Sequence, residues 1–365
     1  MHLALIIDGE RLRRERAMLQ QIATDLAARD IQLTAIVPDP SGRNGTGDDE
    51  PMLDGPTELQ VRMHVPPWMR RSRARQIAGT LANATPDLIH AIGEQAWTVG
   101  LDLARVIDRP VTLDVWSADL LKRVPPGRAA ARVAAYIAAT EPLADALRDR
   151  VEPGLVSVVP MGVRMPPQPR KILADPEASM CLAIIGSGRD LPGYRALLTG
   201  LSRLTSDLPQ IQAFLELRGP CEHEIWRQAR RLDLLGHVST IVDAALHRPL
   251  LTGCDVLVVP ERLGHIRTIV LEAMAVGMPV VAADDPYVDV LVHDQTALIV
   301  DHDSPEDWAE KLKMILTDPE LSSRLIGTAR ELIGRRHHPA AQSDSLAGAF
   351  QQVLSGGAHA FDASV

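Results

Sequence analysis

The sequence predicts an α/β protein built from two doubly wound parallel sheets. Short aliphatic runs alternate with stretches of helical period along most of the chain, which is the pattern of successive βαβ units. The alternation breaks at Met165–Ser179, where Pro166, Pro167, Pro169 and Pro176 stand among charged residues, and then restarts. At 365 residues the chain is also long for a single core. The expected division is an N-terminal domain at 1–164, a proline-rich linker at 165–179, a C-terminal domain at 180–338, and a last helix with a frayed tail at 339–365.

In the first half, Leu3–Ile7 reads as a buried strand. Arg11–Arg29 reads as a helix because Leu12, Leu19, Ile22 and Leu26 share one face. Ile31–Val37 is the next strand, and Pro38–Thr57, rich in Pro, Gly, Asp and Asn, is a loop. Gln60–Val65 is expected as a third strand and Ser72–Asn83 as a basic helix. Asp87–Ile92 and Pro110–Val115 are strands around the helix Trp97–Val106. Tyr136–Ala139 and Val156–Val159 flank the helix Leu143–Arg150, which Thr140 caps with Pro142 in the first turn.

The second half repeats the pattern. Strands are expected at Met180–Ile185, Gln212–Leu217, Val238–Val242, Asp255–Val259, Pro279–Ala282 and Leu298–Val300. Helices are expected at Tyr194–Leu204, Glu222–Leu232, from Thr268 onward, at Pro305–Leu316 and at Pro339–Leu354. Repeated units of this kind place ligands outside the carboxyl ends of the strands.

Composition removes several function classes. A net charge of −9 argues against a broad nucleic-acid surface. Cys181, Cys221 and Cys254 form no C-x-x-C pair, which points to buried free thiols in a reducing, cytoplasmic setting rather than to a disulfide framework or a zinc site. The N-terminal apolar run is cut by Asp8 and lacks a cationic lead, so it reads as a strand and not a signal peptide. No run approaches the ~18 uninterrupted apolar residues of a membrane span. His337-His338 has no third ligand at metal spacing. G-x-S-x-G, H-E-x-x-H and G-x-x-x-x-G-K-[ST] are all absent, so hydrolase, zinc-protease and P-loop readings have no support.

The richest stretch runs from Asp255 to Ala282: a strand, a loop, a helix opened by Thr268, and a second buried strand. The first helical N–H groups and the helix dipole face such a loop, which suits a nucleotide phosphate, and Glu272 adds a carboxylate on the first turns. An ordinary βαβ unit has the same pattern. Arg189, two residues past Ser187, and Arg267, in the loop before the Glu272 helix, are the cations placed to meet a diphosphate; solvated surface arginines are the alternative.

Asp255-Val-Leu-Val-Val-Pro260, Leu271-Glu-Ala-Met-Ala275, Gly277-Met-Pro-Val-Val281, Thr296-Ala-Leu-Ile-Val300 and Asp318-Pro-Glu-Leu resemble consecutive blocks of the retaining glycosyltransferases of family 4. Upstream, Pro86-Asp-Leu-Ile-His-Ala91 and Val159-Pro-Met-Gly-Val163 are similar to further family segments. The resemblance implies the GT-B fold, two Rossmann-like domains facing across a cleft. It implies a nucleotide-sugar donor on the C-terminal domain, an unknown acceptor on the N-terminal domain, retention of configuration, and no metal or other cofactor. Glu272 matches the second glutamate of the family's paired motif and would accept hydrogen bonds from the ribose. On this reading Gly186, Ser187, Gly188, His265, Thr268, Ile269, Val270 and Glu272 bind the donor. Arg189, Arg267 and Asp119 serve the chemistry, and Gly9, His90 and Trp116 lie on the acceptor side.

The sequence also departs from the family pattern. Gly264 stands at the motif's first glutamate, Ser187 and Pro192 at two phosphate-binding cations, and Trp116 at a histidine. Pro286-Tyr287 replaces a two-glycine turn, and Gly9 alone remains of a glycine-rich turn. Two readings follow: a divergent glycosyltransferase, or a GT-B scaffold that binds a nucleotide or a protein without catalysis. Arg70, Arg71, Arg73 and Arg75, beside Trp68 and Met69 within Arg62–Arg75, could rest on an anionic membrane surface such as the inner membrane, or form a solvated helix face. Arg11, Arg13, Arg14 and Arg16 oppose the dipole of the first helix; an anionic acceptor is one reason for them, and pairing with Glu10 and Glu15 is the expected one.

Overall fold

The computed structural model describes residues 1–39, 53–170, 179–241 and 247–356. Most of the Pro38–Thr57 loop, part of the expected linker and the tail beyond residue 356 lie outside the described residues. The chain runs β1 His2–Ile7, α1 Gly9–Ala27, β2 Gln32–Pro38, β3 Thr57–Val61, α2 Arg70–Thr80, β4 Leu88–Ile92, α3 Glu94–Ile107, β5 Val111–Val115, α4 Ala118–Leu121, β6 Val133–Ala138, α5 Glu141–Arg148 and β7 Val156–Val158. It continues β8 Met180–Ile184, α6 Leu191–Asp207, β9 Ile211–Glu216, α7 Glu222–Arg231, β10 Val238–Ile241, α8 His247–Gly253, β11 Val256–Val259, α9 Thr268–Val276, β12 Val280–Ala283, β13 Leu298–Val300, α10 Pro305–Thr317, α11 Pro319–Arg336 and α12 Pro339–Gly356.

Contacts divide the chain into two compact units: Met1–Gly162 with the C-terminal segment from Pro339, and Val163–His338. The first unit holds a seven-stranded sheet of order β3-β2-β1-β4-β5-β6-β7. The second holds a six-stranded sheet of order β10-β9-β8-β11-β12-β13. Every pairing between named strands is parallel. The central strands are covered on both faces, so β1 and β4 are buried at every position.

Side-chain caps set several helix starts. Asp8 accepts from Arg11 N at 2.9 Å to open α1, and Thr140 accepts from Leu143 N at 3.4 Å to open α5. Ser304 accepts from Asp307 N at 3.1 Å, and Asp318 accepts from Leu321 N at 2.9 Å, each with proline in the first turn of the helix it opens. At its other end α9 stops at Gly277, whose φ of 83° suits glycine alone without strain. α11 is absent from the sequence expectations, and β3 begins three residues before the expected strand.

α12 returns to the first unit. Phe350 is fully buried, and its ring centroid lies 5.1 Å from that of His90. Gln342 Oε1 accepts from Gly162 N at 2.8 Å, and Ser343 Oγ donates to Asp25 at 2.9 Å. His90 therefore sits mid-strand in β4 against a helix, the place of a satisfied core histidine rather than of an acceptor-side residue. Its ring is 2% exposed, bonded to Thr112 Oγ1 at 2.9 Å, and burial pushes its pKa down to about 4.

Of the arginines at Arg62–Arg75, Arg70 and Arg73 both pair with Asp102 of α3, at 2.8 and 3.2 Å. Arg62, Arg71 and Arg75 remain on the surface near Trp68, which is 81% exposed. The expected pairs in α1 are present, Arg14 with Glu10 at 2.7 Å and Arg11 with Glu15 at 3.4 Å. Cys254 is buried, and burial pushes its thiol up to about 12; Cys181 and Cys221 are only half-buried, which corrects the expectation of three buried thiols. Among the described residues no helix is long and apolar enough to cross a membrane.

Two outcomes follow. Gly93, at φ 106°, faces Asp8 so closely that a Cβ would overlap the carboxylate. Gly93→Ala should destabilise the protein by about 2 kcal/mol or more in urea unfolding. His90 titrates near 6.5 when unfolded and near 4 when folded, so the unfolded state takes up the proton first. Its contribution is complete above the unfolded value and is lost as pH falls toward the folded one. The stability advantage of wild type over His90→Gln should therefore shrink by up to about 3 kcal/mol between pH 7.5 and pH 4, read by urea unfolding across that range.

Candidate functional site

In the second unit the chain turns from β8 to one side through β9 and β10, and from β11 to the other through β12 and β13. The topological switch thus lies between the carboxyl ends of β8 and β11, where doubly wound sheets bind ligands. Two loops border it: Gly186–Asp190 before α6, and Pro260–Arg267 before α9.

The first loop wraps around the carboxylate of Glu261, which is 9% exposed. Glu261 Oε2 accepts from Ser187 N at 2.5 Å. Its Oε1 accepts from Ser187 Oγ at 3.1 Å, Arg189 N at 2.9 Å and, more weakly, Asp190 N at 3.5 Å. Successive backbone N–H groups converging on one anion make a nest, reinforced by the start of the 17-residue α6. A Cβ at Gly186 would meet the Tyr194 hydroxyl and the Glu261 carboxyl, so only glycine lets the loop close this tightly. Gly188 has φ +66° and packs against Gly219.

Asp190 carries the loop into α6. Its carboxylate accepts from Gly193 N at 3.4 Å, from Arg262 N at 3.0 Å, and lies 2.8 Å from His302 Nε2. The ends of β8, β11 and β13 are thereby joined. In the second loop Gly264 takes φ +65°, and its N–H donates to Asp285 at 2.6 Å. Burial raises the Asp285 pKa, while N–H donation from Tyr287 and Gly264 opposes the rise.

The expected site residues divide accordingly. Gly186, Ser187, Gly188 and Arg189 gather around Glu261, with the Arg189 side chain exposed. Arg267 does not stand open to a ligand. Its guanidinium pairs with Glu216 at 2.7 Å, and both side chains are 8% exposed. Thr268, Ile269 and Val270 form the buried first turn of α9, while Glu272 and His265 are half-buried.

The switch point of the first unit lies between the ends of β1 and β4. Gly9 opens α1 there and is half-buried. Trp116, just past β5, is 6% exposed and stacks under the Arg11 guanidinium, 4.3 Å from its ring centroid. Arg11 lies between Glu15 and Asp114, at 3.4 and 3.7 Å. Burial, with help from Asp8 and Glu15, pushes Asp114 up to about 6 against the pull of Arg11. Asp119 lies apart from this cluster in its partners: it pairs with Lys122 at 3.0 Å, with 45% of its side chain exposed.

Sequence reasoning missed Glu261, Asp190, Glu216 and Asp114. Asp190 had a signal, since Asp followed by Leu-Pro-Gly is a helix-start pattern. Glu261 and Glu216 had none, because their partners lie 74 and 51 residues away in sequence.

Comparisons with known proteins agree on the fold. The chain has the GT-B fold. It superposes on Anabaena HepE in complex with UDP and glucose with a TM-score of 0.76 at 15% identity, covering 96% of this chain and 99% of that one. Sucrose-phosphate synthase from Thermosynechococcus elongatus gives a TM-score of 0.74 at 16% identity, covering 98% of this chain and all of that one. Residues 184–332 match the family model of glycosyl transferases group 1. Among curated relatives, alpha-D-kanosaminyltransferase of Streptomyces kanamyceticus is 29% identical over 100 residues, 27% of this chain and 26% of that protein. A D-inositol 3-phosphate glycosyltransferase of Corynebacterium jeikeium is 27% identical over 162 residues, 42% of this chain and 39% of that protein. The matches thus span well under half the length of these two relatives.

Glu216 and Arg267 hold the end of β9 to the start of α9. Removing one partner strands a buried charge. Glu216→Leu should cost about 3–5 kcal/mol in thermal or urea unfolding, and Glu216→Leu with Arg267→Met should recover most of it.

Proposed function

We propose, from the group 1 glycosyl transferase domain at residues 184–332 and the GT-B fold, that the chain transfers a sugar from a nucleotide-sugar donor to an acceptor. The donor lies at the β8/β11 switch of the second unit and the acceptor on the first unit. Transfer proceeds with retention of configuration and without a metal ion. Loss of the nucleoside diphosphate places negative charge on its leaving oxygen, and fixed hydrogen-bond donors directed at that oxygen stabilise it. The N–H groups of Ser187, Arg189 and Asp190 and the Ser187 hydroxyl are suited to that task, with Arg189 as the adjacent cation. Glu272, on α9, is the acceptor for ribose hydroxyls.

The observation that carries this reading is the nest itself. Three N–H groups and a hydroxyl converge on one anion at the ligand-binding edge of the sheet. HepE, a structural neighbour, is seen in complex with UDP-glucose. One curated relative is named for kanosaminyl transfer, another for glycosyl transfer with D-inositol 3-phosphate, so the names agree on sugar transfer and differ in its partners. The reading includes a cytoplasmic location. It also includes contact of Trp68, Met69, Arg71 and Arg75 with an anionic membrane, since residues 59–86 contain five arginines and no acidic residue.

A second reading, a binding scaffold without catalysis, is favoured by one feature: the nest is occupied by Glu261, while Glu216 neutralises Arg267. Thermal shift with UDP, GDP, ADP and their sugar conjugates separates nucleotide binders from the rest. At ~100 Kd a ligand should stabilise by ~2.7 kcal/mol. The transferase reading expects such a shift with one base, its loss in Glu272→Ala, and slow hydrolysis of the matching donor. A shift without hydrolysis supports the scaffold, and no shift with any nucleotide overturns the transferase reading.

A further inference from the structure

We propose that Glu261 is an internal competitor for the donor diphosphate: its carboxylate holds the Gly186–Asp190 nest and must leave before a phosphate can enter. The inference rests on the donor reading above and adds to it the residue that sets how tightly phosphate is held.

The geometry makes the two occupants exclusive. A carboxylate and a phosphate are both acceptor-only anions, and both satisfy convergent N–H donors with short charge-assisted bonds. The nest has one set of donors, Ser187 N, Ser187 Oγ, Arg189 N and Asp190 N, and the two Glu261 oxygens use all of them. A phosphate arriving while Glu261 stays would find these four donors taken and a like charge at contact distance, which disfavours both ionised groups together.

Departure of Glu261 leaves the sheet intact. The residue is the second past β11, in irregular backbone before α9, and its backbone N–H and C=O belong to no strand ladder. Rotation about its side-chain bonds is enough to free the nest. The loop beside it stays tied, because Arg262 N and Gly193 N remain bonded to Asp190, and Gly264 N to Asp285. The nest loop itself keeps two backbone bonds that do not involve Glu261, Ile185 N to Val258 O at 2.9 Å and Cys221 N to Gly188 O at 3.0 Å.

The test is isothermal calorimetry of inorganic pyrophosphate, UDP and uridine with wild type, Glu261→Ser and Glu261→Gln, with far-UV circular dichroism confirming that each protein is folded. Glu261→Ser should bind pyrophosphate and UDP about tenfold more tightly than wild type or better. Glu261→Gln, which keeps an acceptor oxygen but loses the charge, should show a smaller gain in the same direction. Uridine, which has no phosphate, should bind all three proteins alike. If Glu261→Ser does not fold, Glu261→Gln alone decides. Variants that bind both anions no more tightly than wild type overturn the proposal; with UDP still bound by all three, the nucleotide-sugar reading stands without it. Pyrophosphate tightened in the variants, with UDP no better than pyrophosphate in any protein, keeps the competition and removes the nucleotide reading. No binding of either anion by any protein removes both.

Discussion

One buried carboxylate organises the ligand edge of the second unit. Glu261 draws the N–H groups of Ser187, Arg189 and Asp190 to one point, and the loop can wrap that closely only because Gly186 has no side chain and Gly188 takes a positive φ. Asp190 depends on the same turn. With its own N–H directed at Glu261, its side chain caps α6 and reaches Arg262 N and His302. Gly193 completes the arrangement, since a Cβ there would overlap the Pro260 carbonyl. The ends of β8, β11 and β13 are fastened by hydrogen bonds that converge on two acidic side chains, in addition to the apolar packing of Ile184, Val258 and Val300. An acidic residue that close to unsatisfied N–H groups stabilises them and is stabilised in return.

Gly264, Ser187 and Arg267, three positions singled out in the sequence, have physical accounts in this light. Gly264 occupies a left-handed backbone conformation and gives its N–H to Asp285, so a glutamate there would carry strain as well as a charge beside that carboxylate. Ser187 contributes a hydroxyl to Glu261, where an arginine would have no room for its length in a residue 3% exposed. Arg267 pairs with Glu216 rather than standing open to a ligand. At Gly264 and Ser187 the polar groups are bonded within the second unit, to Asp285 and to Glu261.

The strands and most helices were legible because they rest on local signals: aliphatic runs of four to six residues, a Thr140–Pro142 cap, a Gly277 stop. α11 carries comparable signals, with Asp318 and Pro319 at its start and Leu321, Leu325, Ala329 and Ile333 buried on one face. Asp318-Pro-Glu-Leu is both a block of the family resemblance and a helix start, and the motif hides the cap. His90 is a different case. A histidine near a strand end looks functional, but α12 lies some 250 residues on and no local pattern says that Phe350 will cover it. The site was legible only as loops. Which side chain fills them is fixed by contacts across 51 to 112 residues, as Glu216–Arg267, Ser187–Glu261 and Asp190–His302 show, and no periodicity encodes those.

The transferase and scaffold readings then reduce to a comparison of two anions for one nest. Glu261 is tethered, so it competes at an effective concentration on the order of millimolar or above. A phosphate group alone offers the nest the same kind of bonds and gains little from the exchange. On the proposed reading a whole nucleotide differs, because contacts elsewhere, such as those proposed between ribose hydroxyls and Glu272, would add to its side of the balance independently of Glu261. Discrimination is the consequence: free phosphate is held off by the internal carboxylate, whereas a ligand carrying both a phosphate and a nucleoside can displace it. Whether this chain turns over a donor depends on how far those second contacts exceed the tethered carboxylate's advantage. That margin, rather than the presence or absence of any single family residue, is the quantity that separates an enzyme from a scaffold here.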